Sequence, residues 1–376
     1  MSGTFQLKRF NELNLDDPFF DSLKADYPGG GETKAFSDWF KEKAKEGRTA
    51  LVFEDEIGLG AFVCLKEETE RITLTDQIIP PQPRCKITTI KIAERYRGQR
   101  LGEGAIGLVL WKWQNLNLDE IYVTVYDKHE LLISQLEKFG FKRIGNNLGG
   151  EGVYLRSKQF IDYSDPYRSF PFISPSFSTS GYLIVEDHYH DTLFPYSELK
   201  NTLQPSLALS VKNGLSKIYV GAQYSLPPYH VGEPVLIYRK HTGPGPKSFK
   251  SCLTSWCVVT KIVQAKKNWK TLMDFDTLLE KIGNKSVFNE SELRRRYDQD
   301  KNVLIIEMLY YGYFGEGNNV NMSTLESSGH WSKSHGNQYP ALIKLSHDDF
   351  IDILQIGKVN VNNVIINQTL LRKGDS

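Results

Sequence analysis

The stretch that decides the fold runs from Cys85 to Gly104 and reads CKITTIKIAERYRGQRLGEG. Its first part, Cys85–Ile92, is β-branched and alternating, which predicts a strand. Glycines follow at positions 98, 102 and 104, and then the apolar-rich run Ala105–Leu116 predicts a helix. A strand, a glycine-containing turn and a helix N-terminus form an anion site on physical grounds alone. The first helical amides have no intrahelical acceptor, and the helix dipole adds partial positive charge there. Gly98 and Gly102 let a phosphate approach the backbone closely, and Arg97 and Arg100 supply cationic donors. No Gly-Lys-Ser/Thr follows, so this is not a P-loop, and no G-x-G-x-x-G occurs, so it is not the dinucleotide fingerprint. The bland alternative is a solvated glycine turn with two exposed arginines.

Working outward, strand and helix signals alternate over roughly the first 160 residues. Upstream, 5–10 reads as a strand, 16–27 as a helix stopped by Pro28 and the glycines after it, and 36–45 as a helix followed by Gly47. Residues 49–54 and 60–65 read as a hairpin. Downstream, 121–126 reads as a strand, 131–138 as a helix closed by Gly140, and 152–156 as a final strand. The segment 159–180 is rich in Ser, Pro and aromatics without a period, which predicts a linker whose aromatics are docked. Beyond it, strands are expected at 182–185, 217–220, 235–238, 256–263 and 303–310, with an edge strand near 360–368. Helices are expected at 272–282, 290–297 and 348–354. The chain therefore reads as an α/β domain over 1–158, a linker, and an α+β or small-barrel domain over 181–376.

Composition narrows the function classes. The 376 residues carry 46 Lys+Arg against 45 Asp+Glu, a net charge of +1, with 40% hydrophobic content. That is ordinary globular composition, and no apolar run approaches the ~18–20 residues of a membrane span. The N-terminal residues show no apolar h-region, and four cysteines form no disulfide framework, so a reducing cytosol is the expected compartment. A balanced total does not exclude nucleic acid as a partner, because a basic face is a matter of distribution.

On these residues the first domain resembles the GNAT acetyltransferase superfamily. Tyr96–Gly102 is similar to the family's Tyr-Arg-Gly-x-Gly-Ile-Gly, with Arg100 in place of the first motif glycine. A second register, Gln99-x-x-Gly102-x-Gly104, matches the shorter pattern Arg/Gln-x-x-Gly-x-Gly/Ala. Leu136–Phe141 is similar to the family's Tyr-Glu-Lys-Leu-Gly-Phe. The resemblance implies a mixed sheet with flanking helices that binds acetyl-CoA as co-substrate. Pantetheine would pair with main-chain groups of Ile90, Lys91 and Ile92, and the pyrophosphate would sit on the amides of Arg97, Gly98, Gln99, Arg100, Leu101, Gly102 and Glu103. An amine would attack the thioester, polarised by a backbone amide, and an acid would protonate the thiolate. The family's Tyr is Leu136 here and its Asn is His129, so Tyr126 and His129 are the candidates for the acid. Both also read as ordinary packing or helix-start residues.

The second domain resembles the PUA-like barrel superfamily near its ASCH and EVE branches, over 182–195, 213–220 and 230–240. The ASCH motif survives only as Gly214 and Lys217 at altered spacing, so recognition is implied rather than hydrolysis. The pair of resemblances implies an N-acetyltransferase whose acceptor is RNA or aminoacyl-tRNA, contacted through Arg239, Lys240, Arg294, Arg295 and Arg296. Lys247 and Lys250 could join a basic face, and an antitoxin or a second copy of the chain could be a further partner. A protein or small-amine acceptor is one alternative. A catalytically weak nucleic-acid-binding or CoA-sensing module is another. His188 and His190 beside Asp187 and Asp191 are chemically competent for a metal, but a surface turn is the plainer reading, and no metal is assigned.

Overall fold

The computed structural model describes residues 4–30, 34–195, 212–223, 226–331 and 340–366. They divide into two compact units, Met1–Val109 with Asn117–Leu136 and Phe141–Ser157, and Leu110–Leu116 with Glu137–Gly140 and Lys158–Ser376. The segment 159–180 falls in the second unit, where Phe170, Phe172 and Ile173 are fully buried.

The first unit is built on a mixed sheet of seven strands. They are β1 (Thr4–Arg9), β2 (Thr49–Asp55), β3 (Gly58–Glu68), β4 (Arg84–Ile92), β5 (Glu120–Val125), β6 (Lys142–Asn146) and β7 (Gly152–Ser157). Their order is β1-β2-β3-β4-β5-β7-β6. Neighbours are antiparallel except β4 and β5, which run parallel and are joined through the helix Leu101–Gln114. This is the mixed α/β sheet expected from the sequence. Helices α1 (Asp21–Asp26) and α2 (Phe36–Lys45) lie between β1 and β2, α3 (Leu101–Gln114) between β4 and β5, and α4 (Glu130–Lys138) between β5 and β6. Buried rings fill the space between α1, α2 and the sheet: Phe10, Phe20, Phe36, Phe40 and Phe62 meet in edge-to-face and tilted pairs, Phe20 and Phe62 edge-to-face with centroids 5.3 Å apart.

Residues 16–27 are not one helix. Asp17 accepts from the Phe19 amide and Pro18 fixes its own φ, so a 3-10 turn at Pro18–Phe20 forms first and α1 starts only at Asp21. Strand β6 has no counterpart in the sequence reading. Its residues, KRIGN, lack an apolar alternation, and pairing with β7 is what makes it a strand.

The second unit holds a seven-stranded mixed sheet whose path is β8 (Tyr182–Glu186), β9 (Ser216–Gly221), β10 (Pro234–Lys240), β11 (Cys252–Lys267) and β12 (Val303–Tyr313), in the order β8-β10-β11-β12-β9, with the two-residue strands Lys270–Thr271 and Val320–Asn321 each pairing β11 off that path. Only β8 and β10 are parallel. The 16-residue β11 shifts register three times against β12, which bends the sheet. The sheet is compatible with a second β domain. Its helices of seven or more described residues are α5 (Asp187–Leu193), α6 (Phe275–Ile282), α7 (Glu290–Gln299) and α8 (His347–Ile356). Phe275, Leu278, Ile282 and Leu293 from α6 and α7 pack on Ile218, Val220, Val303 and Ile305 of the sheet.

Two expectations are corrected here. Residues 188–190 form part of α5, not a surface turn, because His190 is drawn into the interior by hydrogen bonds to Asp191 and Thr254. The edge strand expected at 360–368 is instead a one-turn helix, Val361–Val364, that buries Val364, with residues 367–368 outside the described residues. Among the described residues, no helix is long and apolar enough to cross a membrane, and the four cysteines are buried and form no disulfide.

Candidate functional site

The parallel ladder between β4 and β5 stops early. Its last pair is Ile87 with Val123, yet β4 goes on pairing with β3 to Ile92, and β5 goes on pairing with β7 to Val125. From Thr88 to Ile92 the side of β4 that faces β5 therefore makes no ladder contact. A register shift lies at the point of parting: Cys64 of β3 opposes Thr89 and Leu65 opposes Ile87, which leaves Thr88 as the extra residue. The Thr88 hydroxyl donates to the Cys64 carbonyl at 3.2 Å. Main-chain donors and acceptors are thus presented to an open cleft of about 1760 Å³, which Thr88–Ile92 line along with Val123, Thr124 and Val125. That exceeds the roughly 300–1,000 Å³ of a drug-sized pocket.

β4 then leads into the glycine turn. The 3-10 turn Glu94–Tyr96 is tied to the β2–β3 hairpin: the Tyr96 hydroxyl donates to Asp55, and Arg95 donates to Asp55 at 3.1 Å and to the Gly58 carbonyl at 2.8 Å. The Tyr96 ring packs so closely over Gly60 that a Cβ there would meet it at 2.6 Å. The turn is thereby fixed. Gly98 and Arg100 both have positive φ, +75° and +62°, and α3 begins at Leu101. A Cβ on Gly102 would meet only the Ile92 side chain, at 3.9 Å, so the first turn of α3 is open to close approach.

The structure separates the residues singled out in this turn. The Arg97 amide donates to the Glu94 carbonyl and the Gln99 amide to the Tyr96 carbonyl, so these two amides hold the turn itself. Arg97 projects an exposed guanidinium, 3.9 Å from Glu94. The Arg100 guanidinium is turned onto the Glu103 carboxylate at 3.2–3.3 Å, with side-chain exposures of only 10% and 8%. Leu101, Gly102 and Glu103 supply the first-turn amides.

At the far end of the cleft, His129 caps the start of α4: its carbonyl accepts from Leu132 and Ile133, and its ring Nε2 lies 3.3 Å from Asp26. Lys128 reaches the other Asp26 oxygen at 2.5 Å. His129 lines the cleft, whereas Tyr126 is not among its lining residues and packs on Tyr27 with ring centroids 5.7 Å apart. Burial, then the Glu151 charge, pushes the Tyr126 phenol up. Leu136 is fully buried in the core.

Sequence reasoning missed two further residues here. Tyr27, at the end of α1, donates its hydroxyl to Glu151, in the β6–β7 turn, at 2.8 Å. Burial above all, with Glu151 adding to it, pushes the Tyr27 phenol far up, so it acts as a donor. The two lie 124 positions apart, beyond any local spacing signal. Lys91 also lines the cleft, bonded to the Ser22 hydroxyl with its ammonium 5.2 Å from the Phe19 ring centroid, and burial pushes its pKa down.

The basic residues of the second unit divide sharply. Arg239 is buried, forming two 2.8 Å bonds to Asp191, whose other neighbour is the fully buried His190. It is not a surface contact for phosphate, because its guanidinium is consumed in balancing an internal carboxylate. Lys240 lies 3.3 Å from Glu186. Arg294 stacks on Phe275 at 3.5 Å, and Arg296 lies over Phe288 at 4.4 Å and near Asp300 at 3.8 Å. Arg295 is exposed.

No protein-family model matches this chain, and no curated relative does. Among solved structures, a GNAT-family acetyltransferase from Streptococcus agalactiae is 15% identical, with a TM-score of 0.32, over 42% of this chain and 95% of its own. The Arabidopsis thaliana NAA60 protein, solved with acetyl-CoA, is 13% identical with a TM-score of 0.29 over 42% of this chain and all of its own, 100%. An ASCH protein from Zymomonas mobilis is 10% identical with a TM-score of 0.30 over 47% of this chain and 94% of its own.

Proposed function

We propose that the first unit is an acetyl-CoA-dependent N-acetyltransferase. The observation that carries this reading is the early parting of β4 and β5, which leads directly into a glycine turn and a helix N-terminus. Such a cleft takes a long, thin ligand with amides along its length and phosphates at one end. Main-chain groups of Ile90, Lys91 and Ile92 hold the amide-bearing arm. The amides of Leu101, Gly102 and Glu103, with Gly98 and the exposed Arg97, hold the pyrophosphate. Arg100 serves the site by neutralising Glu103, which would otherwise set a carboxylate in the phosphate cradle. Acetyl-CoA supplies an activated thioester. His129 is the proton donor to the departing thiolate, and Tyr126 acts through Tyr27 by packing it in place. The acceptor is an amine, and an RNA-borne amine such as that of aminoacyl-tRNA is the first class to test.

Acetyl-CoA binding followed by calorimetry tests the cofactor assignment. Gly102→Ala should bind within about threefold of wild type, since its methyl has room, whereas Gly102→Glu should lose binding by tenfold or more. Equal binding by Gly102→Glu overturns the assignment. CoA release measured with charged tRNA, peptides and polyamines then ranks the acceptors. Acetyl-CoA binding with no release on any of them favours a CoA-sensing module.

A further inference from the structure

The second unit carries a surface that this reading does not use. Strand β11 turns back at Asn268 and Trp269 to pair Lys266–Lys267 with Lys270–Thr271. Both tip residues have positive φ, +52° and +68°. Two such residues in succession make the tight hairpin turn in which Asn-Gly is preferred, and here a tryptophan stands at the glycine position. A bulky residue at positive φ is a genuine outlier.

The hydrogen bonds that hold the tip come from backbone amides. The Trp269 amide donates to the Lys301 carbonyl at 2.9 Å, and the Asn268 amide donates to the Asn302 side chain at 2.8 Å. Glycine would make the first of these bonds equally well and without strain. Trp269 is 59% exposed, with the Lys266 ammonium 5.0 Å from its ring centroid. The other five tryptophans of the chain are buried or half-buried. Lys267, Lys270 and Lys301 are exposed around it, and neither Lys270 nor Lys301 forms an ion pair with a described residue. The acidic neighbours are Asp298, exposed, and Asp300, which faces Arg296.

We propose that the Trp269 hairpin tip binds single-stranded nucleic acid, with one base stacked on the indole and phosphates held by Lys267, Lys270 and Lys301. An exposed flat ring among cations is what a single strand requires, since every nucleotide offers a π-face and a negative charge. An acidic peptide offers the charge without the flat ring. Strain retained at an aromatic that stays 59% exposed is accounted for by a ligand, because the cation contact with Lys266 is a small return from within the chain. The surface acts whether or not the first unit transfers an acetyl group, and it adds a defined contact to the RNA part of the reading above.

The test uses the full chain without acetyl-CoA, so its outcome is read separately from CoA release. Binding of fluorescein-labelled oligo(U) and oligo(dT) is followed by anisotropy at several salt concentrations, together with tryptophan quenching. Trp269→Gly should raise the melting temperature by a few degrees while weakening oligonucleotide binding at least about fivefold and removing the quench. Lys267→Ala with Lys270→Ala should weaken binding and flatten its salt dependence. The proposal is overturned if wild type binds neither oligonucleotide, if Trp269→Gly binds as wild type does, or if that variant melts lower and so shows the indole to be structural. Poly-glutamate competing as well as oligo(U) also overturns it, in favour of an acidic protein partner.

Discussion

Arg100 shows how one side chain reconciles two requirements. Its backbone sits at φ +62°, where a non-glycine residue costs roughly 1–2 kcal/mol. Its guanidinium neutralises Glu103 at a site where both side chains are nearly buried. Breaking a buried pair costs about 3–5 kcal/mol, less here because the first turn of a helix favours an acid. Arg100→Gly should therefore lower stability by about 1–2 kcal/mol net, whereas in a Glu103→Gln background the same change should be neutral or stabilising. Urea denaturation of the four proteins reads the coupling. At this scale the sequence was half legible. Gly98, Gly102 and Arg97 stand out by spacing, whereas Arg100 reads as a donor to phosphate and the structure turns it onto Glu103. The Tyr27–Glu151 bond and the burial of Arg239 on Asp191 arise only when distant segments meet.

Secondary elements were legible where an apolar period was strong and capped. Helix α7 begins with Asn289, whose side chain accepts from the Glu292 amide at 2.9 Å while Glu292 returns a bond at 3.0 Å, a capping box visible as Asn-x-x-Glu. With Leu293 as its one buried residue, α7 depends heavily on that cap. Asn289→Ala should cost about 1 kcal/mol, seen as faster amide exchange over Glu290–Arg294 in a chain that otherwise stays folded. The strands β2, β3, β4 and β5 follow their β-branched runs closely. β6 does not, since a polar strand is defined by its partner rather than by its own residues.

Across the whole molecule, the net charge of +1 conceals how its ions are used. Some are interior supports. Asp191 is held below the usual carboxylate range because the bonds from Arg239 and His190 outweigh its burial. Arg239→Ala should therefore destabilise the second unit by about 3–5 kcal/mol, measured by thermal or chemical denaturation, whereas a surface contact to phosphate would leave stability unchanged. Composition could not make that distinction, because it counts a buried arginine and an exposed one alike. The last strand of the first sheet ends at Ser157 and the second sheet begins at Tyr182, on either side of the change in sequence pattern near residue 160.

The parting of β4 and β5 has a consequence for solubility. An unpaired strand side is normally a hazard, because it invites another chain to add a strand. Here it lies inside the sheet, with β3 on one flank and β5 bound to β7 on the other. The opening is confined to Thr88–Ile92, and a fixed turn closes its end. An invading strand would find only the five residues Thr88–Ile92 to pair with. A flexible thread with a few amides, as proposed for acetyl-CoA, needs no more than that. The molecule thus keeps the hydrogen-bonding capacity of a sheet edge for a small ligand while denying it to aggregation.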